Sequence, residues 1–448
     1  MKSCGTVRCK GWLMAAVGIG LGVSSGLGAT PDANRLYAGT AKVDITPAAA
    51  EAIDESGRAL SLHDPIYARV LVLKNKETSV AIVSVDLEVF PSAKVVAEAK
   101  AKWKVEHVLL CATHTHSVMA PKGLLMPPAK PDWTRTADRL AGVDWPGLSS
   151  DPWYAATEDK IVAAIGKAMG TLFPANVVAG KGRLESAYMA HNRRLVDKDG
   201  KARAMWDNPK RLPTEPVDST VGVLKVEDDA GKTRVLLVHY ACHPVGMMDS
   251  GVLTRDYPGA MVDYVEQELG SDCMGMFIQG ASGDIDPYDM NLSGAHRFNM
   301  VKQAGISLGK CALRVVRAID TKQNPQGASL QVKESVLTIP CRTADKTFDV
   351  GLMTMVVNHA FALVGVPGEP FTQLQLDLTR ESPVAMTFMT GVAFCGTGFP
   401  FLVYVPTAQA LKEGGYGASE CSFLETEAGN RMVKEAAASL REMTPAKH

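Results

Sequence analysis

The nine cysteines include no Cys-x-x-Cys pair, which excludes a zinc ribbon. Charge of one sign is also missing: 47 basic residues stand against 48 acidic ones, with no basic cluster. Such a chain has no electrostatic reason to bind nucleic acid. No stretch rich in proline, serine and glycine divides the sequence, so one large domain, or two halves sharing a core, is expected. Beyond the first thirty residues no apolar run approaches the ~20 residues that a bilayer span needs. The mature chain is therefore expected to carry no transmembrane span.

The first thirty residues are of a different kind. Lys2, Arg8 and Lys10 open the chain without an acid among them; an apolar run of mostly small residues follows from Trp12 to Leu27 and closes on Gly28-Ala29-Thr30. A basic start, a short apolar core and a small-residue exit make a secretory signal peptide, expected over residues 1–29, with the functional domain over 30–448. Losing three basic residues takes the net charge from −1 to −4. The product is expected in the periplasm or outside the cell. Seven cysteines remain, at 111, 242, 273, 311, 341, 395 and 421. Several lie in apolar runs and read as small buried side chains, and their odd number leaves at least one free thiol.

Strand and helix patterns alternate along the rest. Residues 68–74 and 79–86 read as two strands joined at Asn75–Thr78, and 107–112 as a buried strand. A hairpin is expected from 221–227 and 233–240, turning at Asp229-Ala230-Gly231. Further strands are expected at 275–279, 329–339, 356–363 and 384–392. Helical periodicity covers 92–103, 152–169, 261–269, 299–319, 371–380 and the last ~20 residues. The expected fold is α/β: a single large layered domain with mixed β-sheets flanked by helices. Polar outliers collect just after the strands, which places a metal site at strand ends.

Four places carry candidate chemistry. The strand at 107–112 runs into Thr113-His114-Thr115-His116-Ser117. Alternate residues of extended chain share a face, so both imidazoles can reach one ion, or one can bind while the other moves protons. Two strand-end histidines bonded to backbone would look the same. His239 and His243 end a second strand in similar phase. The loop Gln279-Gly-Ala-Ser-Gly-Asp-Ile-Asp-Pro-Tyr288 offers two glycines and two acids at a strand exit. It also fits an ordinary acidic turn. Finally Glu369, in Val366-Pro-Gly-Glu-Pro370, precedes a helix, where a carboxylate also suits the helix dipole. Nothing in the spacing singles out Tyr404.

Taken in order, the short elements AKVDITP (41–47), HDPIYARVLVL (63–73), THTHS (113–117), NRR (192–194) and NP (208–209) resemble the catalytic N-terminal domain of the neutral/alkaline, non-lysosomal ceramidase family. CHPVGM (242–247), DYPG (256–259), GDIDP (283–287), PGE (367–369) and YVPT (404–407) continue the resemblance. The chain ends soon after the last of them, so the immunoglobulin-like C-terminal domain of those enzymes is not expected. The resemblance implies a Zn2+ cofactor held by His114, His243, Glu369 and Tyr404, with His116 and Arg193 contacting substrate or transition state. It also implies that His239 is no ligand. Two imidazoles and a carboxylate make a common open zinc shell, and a nearby dication lowers the pKa of an oxygen acid such as a phenol.

The reaction implied is cleavage of an amide, N-acyl or N-acetyl, by a metal-activated water, in a small-molecule substrate such as an N-acylated lipid or an acetylated sugar. The sequence departs from the family where ceramidases carry a serine: here that position is Asp286, which becomes a candidate catalytic group and turns the expectation away from ceramide itself. Ceramidases also follow the histidine pair with Gly-Pro-Gly, and this chain has Val118-Met-Ala-Pro-Lys-Gly123. Residues 123–153, rich in proline and tryptophan, are expected to rim the site. With Asp286, the aromatic Trp133, Trp145 and Trp153 would suit a carbohydrate esterase or deacetylase. The alternative without catalysis is a metal-containing binding protein.

Overall fold

The computed structural model describes residues 34–54, 57–119, 145–186, 188–319, 327–342 and 344–444. The expected signal peptide, Trp133, and residues 123–144 of the expected rim lie outside them. Among the described residues no helix is long and apolar enough to cross a membrane.

Nine strands form one mixed sheet. In chain order they are β1 (Leu36–Asp44), β2 (Tyr67–Lys74), β3 (Ser79–Val85), β4 (His107–Ala112), β5 (Phe173–Arg183), β6 (Thr220–Asp228), β7 (Thr233–Tyr240) and β8 (Met274–Gln279). The ninth, Ala393–Phe394, comes late and completes the order β8-β7-β6-β5-β1-β2-β3-β4 on its β4 edge. Pairing is antiparallel except for β3 with β4 and β7 with β8. A second sheet of four is built from β9 (Leu330–Pro340), β10 (Thr347–Val357), β11 (Phe361–Gly365) and β12 (Met386–Thr390), in that order.

Period-two alternation explains the layering. On β2, Val70 and Val72 pack towards helices while Leu71 and Leu73 pack towards the second sheet; on β3, Ala81 and Val83 divide from Val80 and Ile82 in the same way. Both faces are covered, so these strands read as near-continuous apolar runs. Helices α1 (Ala93–Trp103) and α2 (Pro152–Gly170) cover one half of the outer face. Helices α3 (Asp256–Leu269) and α4 (Gly294–Ala318) cover the other half. Beyond the second sheet lie α5 (Thr372–Glu381) and α6 (Ala428–Met443), which close a third core around Val350, Val364 and Leu440. The succession is helix, sheet, sheet, helix.

The expected α/β layering is therefore present, with local corrections. The single strand expected at 356–363 is a hairpin: β10 ends at Val357, Asn358 and His359 take positive φ, and β11 starts at Phe361. Asn is among the residues that accept that conformation most readily. The expected strand at 384–392 is only Met386–Thr390, and α3 begins five residues earlier than expected, at Asp256. β1 and β5 were not expected. Trp145 and Trp153 are core residues at 8% and 6% exposure, and Trp153 Nε1 donates to the Ile45 carbonyl at 3.0 Å. They are buried members of the apolar core that β2 and α2 share, where the sequence led us to expect rim residues. Of the seven cysteines in the described residues six are buried.

The large sheet coils until its β8 edge reaches β3. The Ser84 hydroxyl on β3 donates to the Phe277 carbonyl on β8 at 2.7 Å. This closure brings the ends of β4 and β7, far apart in sheet order, to one place.

Candidate metal centre

Four strand ends converge there. His114 follows the end of β4, His243 follows β7, the Gly283–Pro287 loop follows β8, and Glu369 lies four residues beyond β11. Extended chain is not what aligns the two histidines of the first motif. The strand stops at Ala112, and His114 has φ +67°. This sparsely populated conformation is held by His114 N–H donating to the Leu87 carbonyl and Thr113 N–H to that of Val85, at 2.9 and 2.8 Å. The turn still sets His114 Nε2 and His116 Nε2 3.4 Å apart.

Both expected histidine ligands are buried, and each is oriented from behind. His114 Nδ1 donates to the Glu88 carbonyl at 2.9 Å, and His243 Nδ1 to that of Ile285 at 3.1 Å. With each Nδ1 so occupied, Nε2 is the ring atom that each imidazole turns to the centre, the second-sphere arrangement usual for metal-bound imidazole. Both Nε2 atoms converge on Glu369, whose Oε2 lies 3.0 Å from His243 Nε2 and 3.5 Å from His114 Nε2. The ligating atoms of His114, His116 and His243 lie within 4.8 Å of one another. Burial opposes charge on Glu369, but the two imidazoles hold it well below its ordinary range. Burial likewise opposes charge on His114, and Glu369 raises its pKa. Burial, then His114 and His243, push His116 well below its ordinary value.

Glu369 and Tyr404 are aligned by backbone. Glu369–Pro370 pairs in parallel with Tyr404–Val405, setting Glu369 opposite Tyr404. Val403, at φ +55°, turns the chain into that bridge and accepts a 2.6 Å hydrogen bond from Glu369 N–H. Burial first, then the charge of Glu369, lifts the Tyr404 phenol well above its usual value. Arg193 reaches the phenol from the other side, with Nη2 donating to Tyr404 Oη at 3.1 Å and to the Gly283 carbonyl at 2.7 Å.

Asp286 is fully buried and its Oδ1 accepts from Arg193 Nη1 at 3.0 Å. It does not point away from the site: the same oxygen lies 3.6 Å from His243 Nδ1. The strand pair Met189–Asn192 with Ile285–Pro287 fixes this arrangement. Its charge is balanced by the Arg193 guanidinium. Three of the Arg193 N–H groups are engaged by protein acceptors, Asp286 Oδ1, the Gly283 carbonyl and Tyr404 Oη.

His239 turns elsewhere, with its Nε2 donating to the Met389 carbonyl at 2.9 Å. Three residues of the centre were not expected. Glu88 supplies the carbonyl behind His114, and its carboxylate lies 3.6 Å from His116 Nδ1. Tyr416 Oη lies 3.3 Å from Tyr404 Oη, and Trp206 stands edge-on to Tyr416 at 4.7 Å. The run Gly414-Gly415-Tyr416-Gly417, all three glycines at positive φ, was the available signal for Tyr416. Glu88 and Trp206 had none. A separate cleft of about 560 Å³ between α3 and α4 includes Asp64, Arg255 and Asp263 in its walls. Arg255 pairs with both acids, and the cleft walls include none of the groups above.

The profile of the family described as neutral/alkaline non-lysosomal ceramidase, N-terminal, matches residues 37–347. That span includes His114, His116, Arg193, His243 and Asp286, while Glu369 and Tyr404 lie beyond it. Among solved structures, the neutral ceramidase from Pseudomonas aeruginosa aligns with a TM-score of 0.71 and 18% identity, over 93% of this chain and 76% of that one. A structure titled as a ceramidase complexed with C2 aligns with a TM-score of 0.70 and 17% identity over the same shares. No curated protein matches. At these identities the structural likeness speaks for the fold, and the profile speaks for the lineage: the chain belongs to the neutral/alkaline non-lysosomal ceramidase family.

Proposed function

We propose that this chain is an exported, zinc-dependent amidohydrolase that removes the acyl group from an N-acylated small molecule, with a lipid amide as the favoured class. The observation that carries the reading is the convergence of His114 Nε2 and His243 Nε2 on the Glu369 carboxylate, with both Nδ1 atoms committed to backbone carbonyls. Histidine and carboxylate donors at a buried strand-end site suit zinc, and His114, His243, Glu369 and Tyr404 are the residues that would hold it. When bound there, the ion supplies Lewis acidity and an acidified water.

The rest is done by the chain. Glu369 offsets the charge of the centre. Arg193 holds the Tyr404 hydroxyl in place and is itself balanced by Asp286. His116, kept neutral by its surroundings, has Nδ1 towards Glu88 and so presents the Nε2 lone pair. It can take a proton from the attacking water and return it to the leaving nitrogen. A deacetylase acting on sugars has less support, because Trp145 and Trp153 are core residues.

Export rests on residues 1–29, with the domain over 30–448, and N-terminal sequencing of protein recovered from the periplasm or medium should begin near Thr30. A chain retained in the cytoplasm and starting at Met1 would refute it. The activity is tested by incubating zinc-loaded protein with N-acyl sphingoid bases, N-acyl amino acids and N-acetylated sugars. Release of free amine from the lipid amides is expected. Release only from the sugars, or only from ester analogues, would overturn the substrate class.

A further inference from the structure

Among the described residues six large apolar side chains are exposed, and three of them, Val196, Trp206 and Leu212, belong to the segment that starts immediately after Arg193. Exposed apolar residues scattered singly need no explanation, but three on one short lip beside a reaction centre mark a contact surface. The lip is fastened. Arg194–Val196 pairs with Ala202–Ala204, and Met205 N–H donates to the Arg193 carbonyl at 2.7 Å. Asn208 brackets Leu212 with two hydrogen bonds, of 2.8 and 2.9 Å, and its own N–H donates to the Tyr288 carbonyl beyond the Gly283–Pro287 loop.

Trp206 connects this lip to the chemistry. Its ring lies 5.4 Å from the Arg193 guanidinium carbon and 4.7 Å from the Tyr416 ring, whose hydroxyl is 3.3 Å from Tyr404 Oη. Arg193 and Tyr416 back the indole, yet 43% of the residue remains exposed. An aromatic ring held on a cation and a second ring, with apolar surface still open, is a rigid platform for an apolar ligand.

We propose that Trp206 is the chain-length-determining residue of this enzyme: its open surface, backed by Arg193 and Tyr416, takes the hydrocarbon chain of the substrate. The inference rests on the amidase reading for the identity of that chain. Arg193 engages Asp286 Oδ1 and the Gly283 carbonyl, and Asp286 is fully buried, so the exposed indole itself offers a sugar's hydroxyls no acceptor. An alkyl chain needs none.

The test compares wild type, Trp206→Ala, Trp206→Phe and the remote surface variant Val336→Ser on N-acyl amides with 2- and 16-carbon acyl chains. The ratio of kcat/KM for the long to the short chain should fall roughly tenfold or more in Trp206→Ala, about the worth of two buried methylenes. It should be largely restored in Trp206→Phe and unchanged in Val336→Ser. Binding is read separately on metal-free protein, by quenching of tryptophan fluorescence with a 16-carbon fatty amide. Saturable quenching is expected in wild type and weaker affinity in Trp206→Ala. An unchanged ratio together with unchanged amide affinity overturns the proposal. If no amide is cleaved but the affinity still drops in Trp206→Ala, the amidase reading fails while the platform stands.

Discussion

The charge balance around Arg193 and Asp286 is the residue-scale feature with the largest consequences. Both side chains are almost wholly buried, so each is tolerated in the core because the other is present. Removing one partner of a buried pair leaves an uncompensated charge, at a cost of about 3–5 kcal/mol. Asp286→Ala should therefore lower the denaturation midpoint sharply. The double variant Asp286→Ala/Arg193→Met should be less destabilised than the sum of the single variants, as a double-mutant cycle would record. Additivity would mean that the two charges are solvated separately. His116 makes a contrasting case. It faces Glu88 and is a fifth exposed at the side chain, and His116→Ala should retain the metal while turnover falls by roughly 10²–10⁴-fold. Loss of the metal would make His116 a ligand, and unchanged turnover would leave it structural. Much of this scale was legible: the residues of the two histidine motifs, of GDIDP, PGE and YVPT, and Arg193 all stand at one site. The Arg193–Asp286 pair was not, because 93 residues separate its members and no local pattern encodes a long-range ion pair.

At the scale of elements, the site is a set of strand ends held in register by close backbone approaches. Gly283 shows how little room there is: a Cβ added to it would lie 2.4 Å from the Glu369 carbonyl oxygen and 3.0 Å from that of Pro370. Gly283→Ala should displace the Glu369 bridge and weaken zinc retention on dialysis, though the substituted residue is no ligand. Retention equal to wild type would mean that the Glu369 segment can yield freely. The same crowding explains which strands escaped sequence reading. β1 carries Gly39, whose Cβ would stand 2.0 Å from the Ala168 carbonyl of α2, and β5 carries Gly180 and Gly182 against Val315 of α4. Glycines chosen for helix contact dilute the β-branched signal by which a strand is recognised. The strands β2, β3, β4 and β7, free of that constraint, were plain. The hairpin at Asn358–His359 was missed for another reason: the apolar residues on both sides of it are continuous enough to hide a two-residue turn.

The whole molecule carries a pH dependence that lies apart from the reaction centre. Burial pushes the carboxyl of Asp256, at the start of α3, up to about 6, against an ordinary value of 3.8. A raised carboxyl favours the fold when protonated, so its contribution is fully present below its unfolded pKa and is lost as pH rises through about 6. Two pH units correspond to about 3 kcal/mol. Between pH 4 and pH 8, wild type should lose stability relative to Asp256→Asn by an amount of that order, measured by denaturant unfolding. Parallel pH profiles for the two proteins would remove Asp256 as the cause. The same closure of the large sheet that buries α3 against its outer face also brings the ends of β4 and β7 together, and the whole functional account depends on what that junction holds. Metal content per chain, measured on folded protein, tests this most directly. About one zinc is predicted for wild type, and its loss in both His114→Ala and His243→Ala with circular dichroism unchanged; stoichiometric zinc in both variants would contradict the account.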